Sequence, residues 1–355
     1  MKVATIFGTR PEIIRLSLIF PLLDEHFEHV MINTQQNFND NLNKIFFKQM
    51  NIREPDYNLN VDTTNFGTQI SDTMKKTFDV LKKEKPDWLL VLGDTYSGLS
   101  ALPASNLGIK IAHMEAGMRS YDWRVPEERN RTVIDHLATI NLPYTNYSRE
   151  NLIRENIHPS KIFVIGNPIV EILNHFKKEI NSSSILKRLN LKPNEYILVT
   201  AHRSENVDNK QTLASLMESL SLLKKVFDKR IIFPVHPRTL NKIINKPKGV
   251  EMFSPVGLFD FTKLEQNAFC VISDSGTVPE ECLFYNKSCV TIRKATERTE
   301  YIEAGSSMLS EIHPDQLVDA VNIMTTSKTD YKWDDRLGDG KTSRKVIQVL
   351  QGENQ

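Results

Sequence analysis

The sequence has almost no net charge and no long apolar run. Its 355 residues include 45 Lys and Arg and 44 Asp and Glu, which leaves a formal charge of +1 at pH 7. So small a charge gives no field that would attract nucleic acid or an anionic membrane. No apolar segment approaches the roughly 18–20 residues of a membrane-spanning helix, and no signal-peptide pattern precedes the first predicted strand. We therefore expect a cytoplasmic protein that binds neither nucleic acid nor membrane.

Cysteine is scarce, and the patterns of several common cofactor sites are missing. The three cysteines, Cys270, Cys282 and Cys289, are odd in number and lie in or beside apolar segments, which favours buried, reduced thiols. No predicted strand is followed by Gly-x-Gly-x-x-Gly, so the sequence disfavours a dinucleotide site with that fingerprint. The His and Cys residues show no zinc-ligand spacing, and we expect no metal.

Short apolar segments alternate with amphipathic ones along the chain, which is typical of stacked β-α-β units. A chain of 355 residues exceeds a comfortable single core, so two domains are expected. We place the boundary at residue 168, which gives two α/β, Rossmann-like doubly wound domains, residues 1–168 and 169–355, facing a central cleft. The final helix, near 342–351, could pack on either domain. The predicted strands are 3–7, 30–33, 88–92, 109–112, 140–142, 163–165, 196–200, 231–235, 251–253, 270–273 and 289–292.

Three acidic segments lie close together in the first half of the chain. Two of them follow predicted strands, and the carboxyl ends of strands line the ligand crevice of open α/β sheets. Several carboxylates in one crevice repel one another and lose hydration, so a purely structural chain tends to avoid them. Proton transfer needs such groups, and the pattern indicates an enzyme. The segments are Gly93-Asp94-Thr95, His113-Met114-Glu115-Ala116-Gly117 and Pro126-Glu127-Glu128.

The turns after two other predicted strands carry candidate phosphate ligands. After strand 3–7 come a glycine turn, Arg10 and a proline at the predicted helix start, with Arg15 one helical turn later. This pattern fits recognition of a diphosphate; the alternative is a simple strand-to-helix turn. His202 follows strand 196–200, where it could bind a phosphate or shuttle a proton. The alternative there is a structural histidine.

The best-defined ligand pattern follows the predicted strand 270–273. The chain turns sharply through Ser275, Gly276 and Thr277 into a helix, whose free N–H groups and dipole favour a phosphate. Glu281 lies about one helical turn further on and could accept hydrogen bonds from ribose hydroxyls. Arg298, after the next strand, could reach the same ligand. The alternatives are an ordinary helix cap with solvated glutamates and a surface arginine.

Taken in order along nearly the whole chain, these motifs resemble the non-hydrolysing UDP-N-acetylglucosamine 2-epimerase family. The resemblance implies a glycosyltransferase-B-like fold, a UDP-sugar substrate, no added cofactor and a homodimer. The matching motifs are Gly8-Thr9-Arg10-Pro11-Glu12, Gly93-Asp94-Thr95, His113-Met114-Glu115-Ala116-Gly117-Met118-Arg119, Pro126-Glu127-Glu128-Arg129-Asn130-Arg131, Asp135-His136-Leu137-Ala138, Ala201-His202-Arg203, Ser273-Asp274-Ser275-Gly276 with Glu280-Glu281, and Thr296-Glu297-Arg298.

Individual roles follow from the resemblance position by position. Asp94, Glu115 and Glu127 match the acid/base carboxylates of the family, and His202 matches its catalytic or phosphate-contacting histidine. Arg15 stands where the family commonly has lysine, and Phe261 falls where it has an aromatic residue near uracil. The positions that match contacts to UDP are Arg10, Arg15, Phe261, Ser275, Gly276, Thr277, Glu281 and Arg298.

The resemblance implies interconversion of UDP-GlcNAc and UDP-ManNAc, by elimination and re-addition of UDP through a 2-acetamidoglycal, for surface polysaccharide precursors. One alternative is C2 epimerisation of a modified UDP-HexNAc such as a UDP-2-acetamido-2,6-dideoxy-hexose. The sequence around Arg124 and around His236 is more similar to the branch that acts on such sugars. A glycosyltransferase of the same fold and a non-catalytic UDP-sugar-binding module are the further alternatives.

Overall fold

The computed structural model describes residues 1–35, 46–235, 237–244, 246–327 and 330–352. The chain forms two compact units, one made of Met1–Asn174 together with Asp334–Gln355 and the other of His175–Trp333. The boundary that we placed at residue 168 thus falls inside the first unit, and the C-terminal segment returns to that unit. None of the helices in the described ranges is long and apolar enough to cross a membrane.

The first unit is built on a six-stranded sheet in the order β3-β2-β1-β4-β5-β6, in which all neighbouring strands run parallel. The strands are β1 (Lys2–Phe7), β2 (Glu28–Asn33), β3 (Tyr57–Asn58), β4 (Trp88–Leu92), β5 (Lys110–Met114) and β6 (Ile140–Leu142). The helices are α1 (Arg10–Leu16), α2 (Ile19–His26), α3 (Phe66–Glu84), α4 (Ala101–Asn106), α5 (Pro126–Leu137), α6 (Asn146–Arg154), α7 (Ile169–His175) and α17 (Thr342–Gly352), with 3₁₀ turns at Gly98–Ser100 and Pro159–Lys161.

The second unit has its own six-stranded parallel sheet, in the order β12-β11-β10-β7-β8-β9. All three cysteines are buried in this unit as free thiols. The strands are β7 (Tyr196–Thr200), β8 (Arg230–Pro234), β9 (Val250–Phe253), β10 (Cys270–Ser273), β11 (Cys289–Thr291) and β12 (Ser307–Leu309). The helices are α8 (Lys177–Ser182), α9 (Ile185–Arg188), α10 (Ser204–Val207), α11 (Lys210–Phe227), α12 (Pro237–Leu240), α13 (Leu258–Asn267), α14 (Val278–Phe284), α15 (Thr299–Glu303) and α16 (Pro314–Thr326).

The two sheets share one strand order: read from β9, the second sheet runs β9-β8-β7-β10-β11-β12, which corresponds strand by strand to β3-β2-β1-β4-β5-β6. This is the order of a doubly wound Rossmann sheet, so the predicted fold class is confirmed. The direction of winding reverses between β1 and β4 in one unit and between β7 and β10 in the other. Ligands of open α/β sheets bind beyond the carboxyl ends of the strands at such a reversal. Each unit therefore has one expected ligand position.

The predicted strand at 163–165 is wrong. An isolated bridge joins Asn141 to Ile162, the residue before this segment, and the N–H of Phe163 donates to the carbonyl of Asn141 at 2.9 Å. Strand β6 ends just before Pro143, which has no N–H to donate and so cannot continue a ladder. The sequence also missed β3 and β12, which are only two and three residues long.

The C-terminal helix α17 packs against α2 in the first unit, which answers the question that the sequence left open. Two hydrogen bonds hold its first turn. Thr342 Oγ1 donates to the carbonyl of Gly166 at 3.1 Å, and the N–H of Ser343 donates to Glu171 at 2.9 Å. Because Glu171 belongs to α7, these contacts also explain why α7 stays with the first unit.

Candidate active site

Three of the four predicted catalytic residues lie in the first unit, at the carboxyl edge of its sheet. Asp94 follows β4 and Glu115 follows β5, so the parallel register brings both to one edge. Glu127 is in the first turn of α5. Tyr96 lies in the turn that begins at Gly93, and burial together with the charge of Glu127 raises its pKa.

The carboxylate of Asp94 is paired with Arg131, a buried residue of α5. Arg131 Nε lies 2.9 Å and Nη2 2.5 Å from Oδ2 of Asp94. From the same helix, Asn130 Nδ2 donates to the carbonyl of Asp94 at 2.9 Å. The ionised form of Asp94 is therefore favoured by a guanidinium, and its turn is tied to α5.

Glu128 is a residue of this site to which the sequence assigned no role. Its buried carboxylate accepts from the N–H and hydroxyl of Ser120 and from the N–H of Tyr121, at 2.9–3.0 Å. It also lies 3.2 Å from Nη1 of Arg131. Glu128 thus orients Arg131 and fixes the loop before α5. Its position beside Glu127 in the motif was visible, but its partners come from another segment.

Glu115 adopts a left-handed backbone conformation, with φ at +66°, in which a non-glycine residue is uncommon. Its Oε2 accepts from the hydroxyl of Tyr144 at 3.3 Å and lies 3.5 Å from Nη1 of Arg15. The guanidinium of Arg15 also lies 5.4 Å from the ring centre of Tyr144. We expected Arg15 at the nucleotide; in the structure it is buried and contacts a candidate catalytic carboxylate.

Glu12 is a second residue without an assigned role, and it joins two turns at the strand reversal. Its buried carboxylate accepts from the N–H groups of Gly8 and Thr9 at 2.9 and 2.7 Å, and from the hydroxyl of Thr95 at 2.8 Å. Burial raises the pKa of Glu12 to about 7. Thr9 and Glu12 form a capping box, a three-residue spacing that the sequence displays and that could have identified Glu12.

Arg10 carries a positive charge at the start of α1. Its guanidinium lies 6.0 Å from the ring centre of Phe46, and its buried Nε has no hydrogen-bond partner among the described residues. Burial lowers the pKa of Arg10. A partly buried guanidinium with an unsatisfied N–H suits an anionic ligand. The contact of Arg10 with a diphosphate stays a prediction.

In the second unit, His202 lies at the strand reversal, where β7 and β10 end side by side. Asp274, which follows β10, is buried and accepts from the N–H groups of His202 and Arg203 at 3.0–3.1 Å. Oδ1 of Asp274 also lies 3.1 Å from Nδ1 of His202, whose side chain is 57% exposed. Burial works to raise the pKa of Asp274, but His202 and these hydrogen bonds hold it below its usual value. Asp274 thus holds the imidazole through Nδ1, while more than half of the side chain stays exposed.

The turn of Ser275, Gly276 and Thr277 lies beside Arg298. Ser275 Oγ and Thr277 Oγ1 are 3.1 Å apart. A Cβ at Gly276 would lie only 3.1 Å from Nε of Arg298, so glycine is what allows the close approach. Arg298 is buried and forms an ion pair with Glu280, a motif residue to which we gave no role. The structure therefore brings together three predicted ligands of UDP and the arginine predicted to join them.

Glu281 and Phe261, the two remaining predicted contacts of the nucleoside, contact the interior of the second unit. Glu281 is buried in α14, and its charge acts on Glu265, a fully buried residue of α13. Burial and the charge of Glu281 raise the pKa of Glu265 well above its usual value. Phe261, expected near uracil, packs against the hydrophobic core of the second unit. His236 lies outside the described residues, and within the described ranges no three His, Cys, Asp or Glu side chains form a metal-ligand cluster.

Comparisons with known proteins cover almost the whole chain. A family model described as UDP-N-acetylglucosamine 2-epimerase matches residues 22–351. The UDP-N-acetylglucosamine 2-epimerase of Methanococcus maripaludis is 38% identical over 99% of each chain. A crystal structure of Methanocaldococcus jannaschii UDP-GlcNAc 2-epimerase in complex with UDP-GlcNAc and UDP is similar with a TM-score of 0.93 and 37% identity, over 99% of this chain and 100% of that one. The UDP-2,3-diacetamido-2,3-dideoxy-D-glucuronate 2-epimerase of Pseudomonas aeruginosa is 33% identical over 99% of each chain.

Proposed function

Because this chain belongs to the UDP-N-acetylglucosamine 2-epimerase family, we propose that it inverts C2 of a UDP-N-acetylhexosamine, interconverting UDP-GlcNAc and UDP-ManNAc. The observation that carries the proposal is the group of carboxylates at the strand reversal of the first unit. Asp94 is paired with Arg131 and Glu115 contacts Arg15, so two candidate proton carriers have different cationic surroundings. The solved relative described above was crystallised with UDP-GlcNAc and UDP, which supports a UDP-sugar substrate.

The chemistry explains why more than one carboxylate is needed. C2 of the sugar has no adjacent carbonyl, so the proton on C2 cannot be removed by simple enolisation. We propose that the C1–O bond breaks with its electron pair leaving on UDP, while a carboxylate takes the C2 proton and a C1=C2 bond forms. The product is a 2-acetamidoglycal. A carboxylic acid then gives a proton to C2 from the opposite face as UDP adds back to C1. Two faces require two positioned acid/base groups.

The leaving diphosphate carries negative charge that the protein must stabilise. We propose that Arg10, His202, Arg298 and the hydroxyls of the Ser275–Thr277 turn do this, as the family resemblance implies. The unsatisfied Nε of Arg10 and the exposed side chain of His202 support these roles. For the nucleoside, we propose that Glu281 accepts from the ribose hydroxyls and that Phe261 lies near uracil. We further propose a homodimer that serves surface polysaccharide synthesis, as the family resemblance implies.

A modified sugar is the second candidate substrate. The relative from Pseudomonas aeruginosa, named for a diacetamido uronate, is 33% identical over 99% of each chain. The segment from Arg124 to Glu128 is also more similar to the branch that acts on modified sugars. This candidate differs from the first in substituents at C3, C5 or C6 and uses the same chemistry at C2.

Proton NMR in D2O tests the proposal directly. The protein is incubated with UDP-GlcNAc alone, and in parallel with a panel of modified UDP-HexNAc substrates. We expect the C2 epimer to appear with deuterium at C2 and without net release of UDP. Free ManNAc and UDP would identify a hydrolysing enzyme instead. Binding of UDP without any deuterium at C2 of any substrate would contradict epimerisation and favour a non-catalytic binding module.

A further inference from the structure

Two of the carboxylate-bearing turns share one buried pair of side chains, His113 and Asp135. Nε2 of His113 lies 2.9 Å from the carbonyl of Gly93, the residue before Asp94. Nδ1 of His113 lies 2.7 Å from Oδ1 of Asp135. The N–H of Gly117, two residues after Glu115, donates to both oxygens of Asp135 at 3.2–3.3 Å. A continuous path of hydrogen bonds therefore joins the turn of Asp94 to the turn of Glu115.

The direction of these hydrogen bonds is fixed by chemistry. A carbonyl oxygen can only accept, so Nε2 of His113 must donate its proton to Gly93. The bond between Nδ1 and Asp135 also holds a proton, so the ring is fixed at both ends. Burial works to raise the pKa of Asp135, but His113 and Arg119 hold it below its usual value. Arg119 Nη2 lies 2.7 Å from Asp135 and 2.6 Å from Glu155, which balances the buried charges.

The turn of Glu115 needs such support, because Glu115 has a φ of +66°. Gly93 has a φ of +70°, which glycine adopts without strain. A glutamate at positive φ persists only where its surroundings hold it, since the conformation is strained for a residue with a Cβ. His113 and Asp135 are both 0% exposed, so water does not compete for their hydrogen bonds.

We propose that His113 and Asp135 are positioning residues that fix the spacing between Asp94 and Glu115. The proposal rests on the proposed function, in which protons move at opposite faces of one carbon. Such a reaction is sensitive to the separation of its two proton carriers, because a displacement of about 1 Å can reduce a rate by up to about 100-fold. The pair touches neither the sugar nor the nucleotide in this role. It acts through the Gly93 carbonyl and the Gly117 N–H.

The first unit offers a control at the amino ends of the strands of the same sheet, opposite the candidate site. His29 lies near the amino end of β2, and its side chain is also buried. Its Nδ1 lies 2.7 Å from Asp24 and its Nε2 2.9 Å from the hydroxyl of Thr5. It is thus another histidine fixed at both ring nitrogens, but far along its strand from the carboxyl edge. His29→Gln therefore measures how the loss of a buried histidine–aspartate contact away from the candidate site affects the stability of the fold.

The experiment compares His113→Gln, Asp135→Asn and His29→Gln with the unchanged protein in D2O. For each, we measure Tm, kcat, KM and the ratio of C2-deuterated starting sugar to deuterated epimer at early times. We expect His113→Gln and Asp135→Asn to lower kcat by about 10- to 100-fold with little change in KM. We also expect them to shift the deuterium ratio several-fold. In the proposed mechanism, protonation of C2 that restores the starting sugar and protonation that gives the epimer use different carboxylates.

His29→Gln should lower Tm and leave kcat and the deuterium ratio unchanged. The positioning role is overturned if the folded site variants keep the ratio and kcat of the unchanged protein, whatever happens to Tm. Asp135→Asn keeps the side-chain shape, so it decides the matter if His113→Gln does not fold. Absence of C2 exchange in the unchanged protein would instead overturn the proposed function, and the positioning role with it.

Discussion

The guanidinium of Arg131 lies 2.5 Å from the carboxylate of Asp94, and the two residues come from different elements at the carboxyl edge of one sheet. Arg131 is almost fully buried, while the side chain of Asp94 is 22% exposed. A desolvated cation beside a partly accessible carboxylate favours the ionised, proton-accepting form of that carboxylate. For the proposed reaction, Asp94 is therefore suited to act as a base.

Arg131→Gln should lower kcat and move the acidic limb of the pH profile to higher pH. The cation that favours ionised Asp94 would be gone, so more alkaline conditions would be needed to prepare the base. The measurement is kcat/KM against pH for the variant and the unchanged protein. Arg129→Gln, an exposed neighbour on α5, serves as control and should leave the limb in place. If Arg131→Gln reduces kcat but leaves the acidic limb of the pH profile unchanged, Arg131 positions Asp94 without favouring its ionised form.

Removing the acid/base groups one at a time should reduce turnover by roughly two or more orders of magnitude. The variants are Asp94→Asn, Glu115→Gln and Glu127→Gln, which keep side-chain shape and remove the ionisable proton site. Initial rates of epimer formation by NMR provide the measurement, and Tm shows that each variant is folded. Near-normal epimerisation by all three would rule out the carboxylates as the proton carriers.

Glu12→Gln should change how stability depends on pH. Burial raises the pKa of Glu12 to about 7 in the folded protein, from 4.5 as the ordinary value. The folded state therefore holds this proton more tightly than the unfolded chain does. The stability linked to that proton is fully present below pH 4.5 and is lost as pH rises toward about 7.

The measurement is the free energy of unfolding in urea, for both proteins, at several values across that interval. Relative to Glu12→Gln, the unchanged protein should lose up to about 3 kcal/mol as pH rises through it. Glu25→Gln, an exposed glutamate of α2, controls for loss of a negative charge and should show no such slope. A constant difference between Glu12→Gln and the unchanged protein would contradict a raised pKa.

Gly276→Ala should weaken UDP binding without unfolding the protein. The added Cβ would lie 3.1 Å from Nε of Arg298 and 3.3 Å from Oε1 of Glu297, so the arginine must shift. We expect the Kd of UDP, measured by calorimetry, to rise by about 10-fold, which corresponds to about 1.4 kcal/mol. Gly67→Ala is the matched control, because its Cβ would meet nothing closer than 3.5 Å. Equal UDP affinity in both variants would mean that the Gly276 turn does not contact the nucleotide.

The sequence predicted most of the sheet because buried parallel strands carry a strong local signal. Strand β4 is apolar and buried at every position, and its bounds agree with the prediction. By contrast, β3 has two residues at an edge of the sheet and lacks any apolar run. The segment 163–165 has strand-like residues, but Pro143 in the neighbouring segment prevents a ladder, and no local pattern reveals that neighbour.

For the candidate site, the sequence located the turns and missed the partners. Asp94 and Glu115 stood out because each follows a strand end. The pairings of Asp94 with Arg131, Glu115 with Arg15 and His202 with Asp274 join positions far apart in the chain. Such pairings depend on which strands become neighbours, which a single sequence does not specify. The assignments of substrate contacts stay predictions.

The return of the chain to the first unit at Asp334 makes the second unit an insert within the first. Residues 175–333 are contiguous, so they could be excised as one segment and studied for nucleotide binding alone. The first unit is not contiguous in this way, because α17 packs on α2 and is tied to Gly166 and Glu171. Truncation at the C-terminus would therefore damage the carboxylate-bearing half of the protein and spare the half that is proposed to hold UDP.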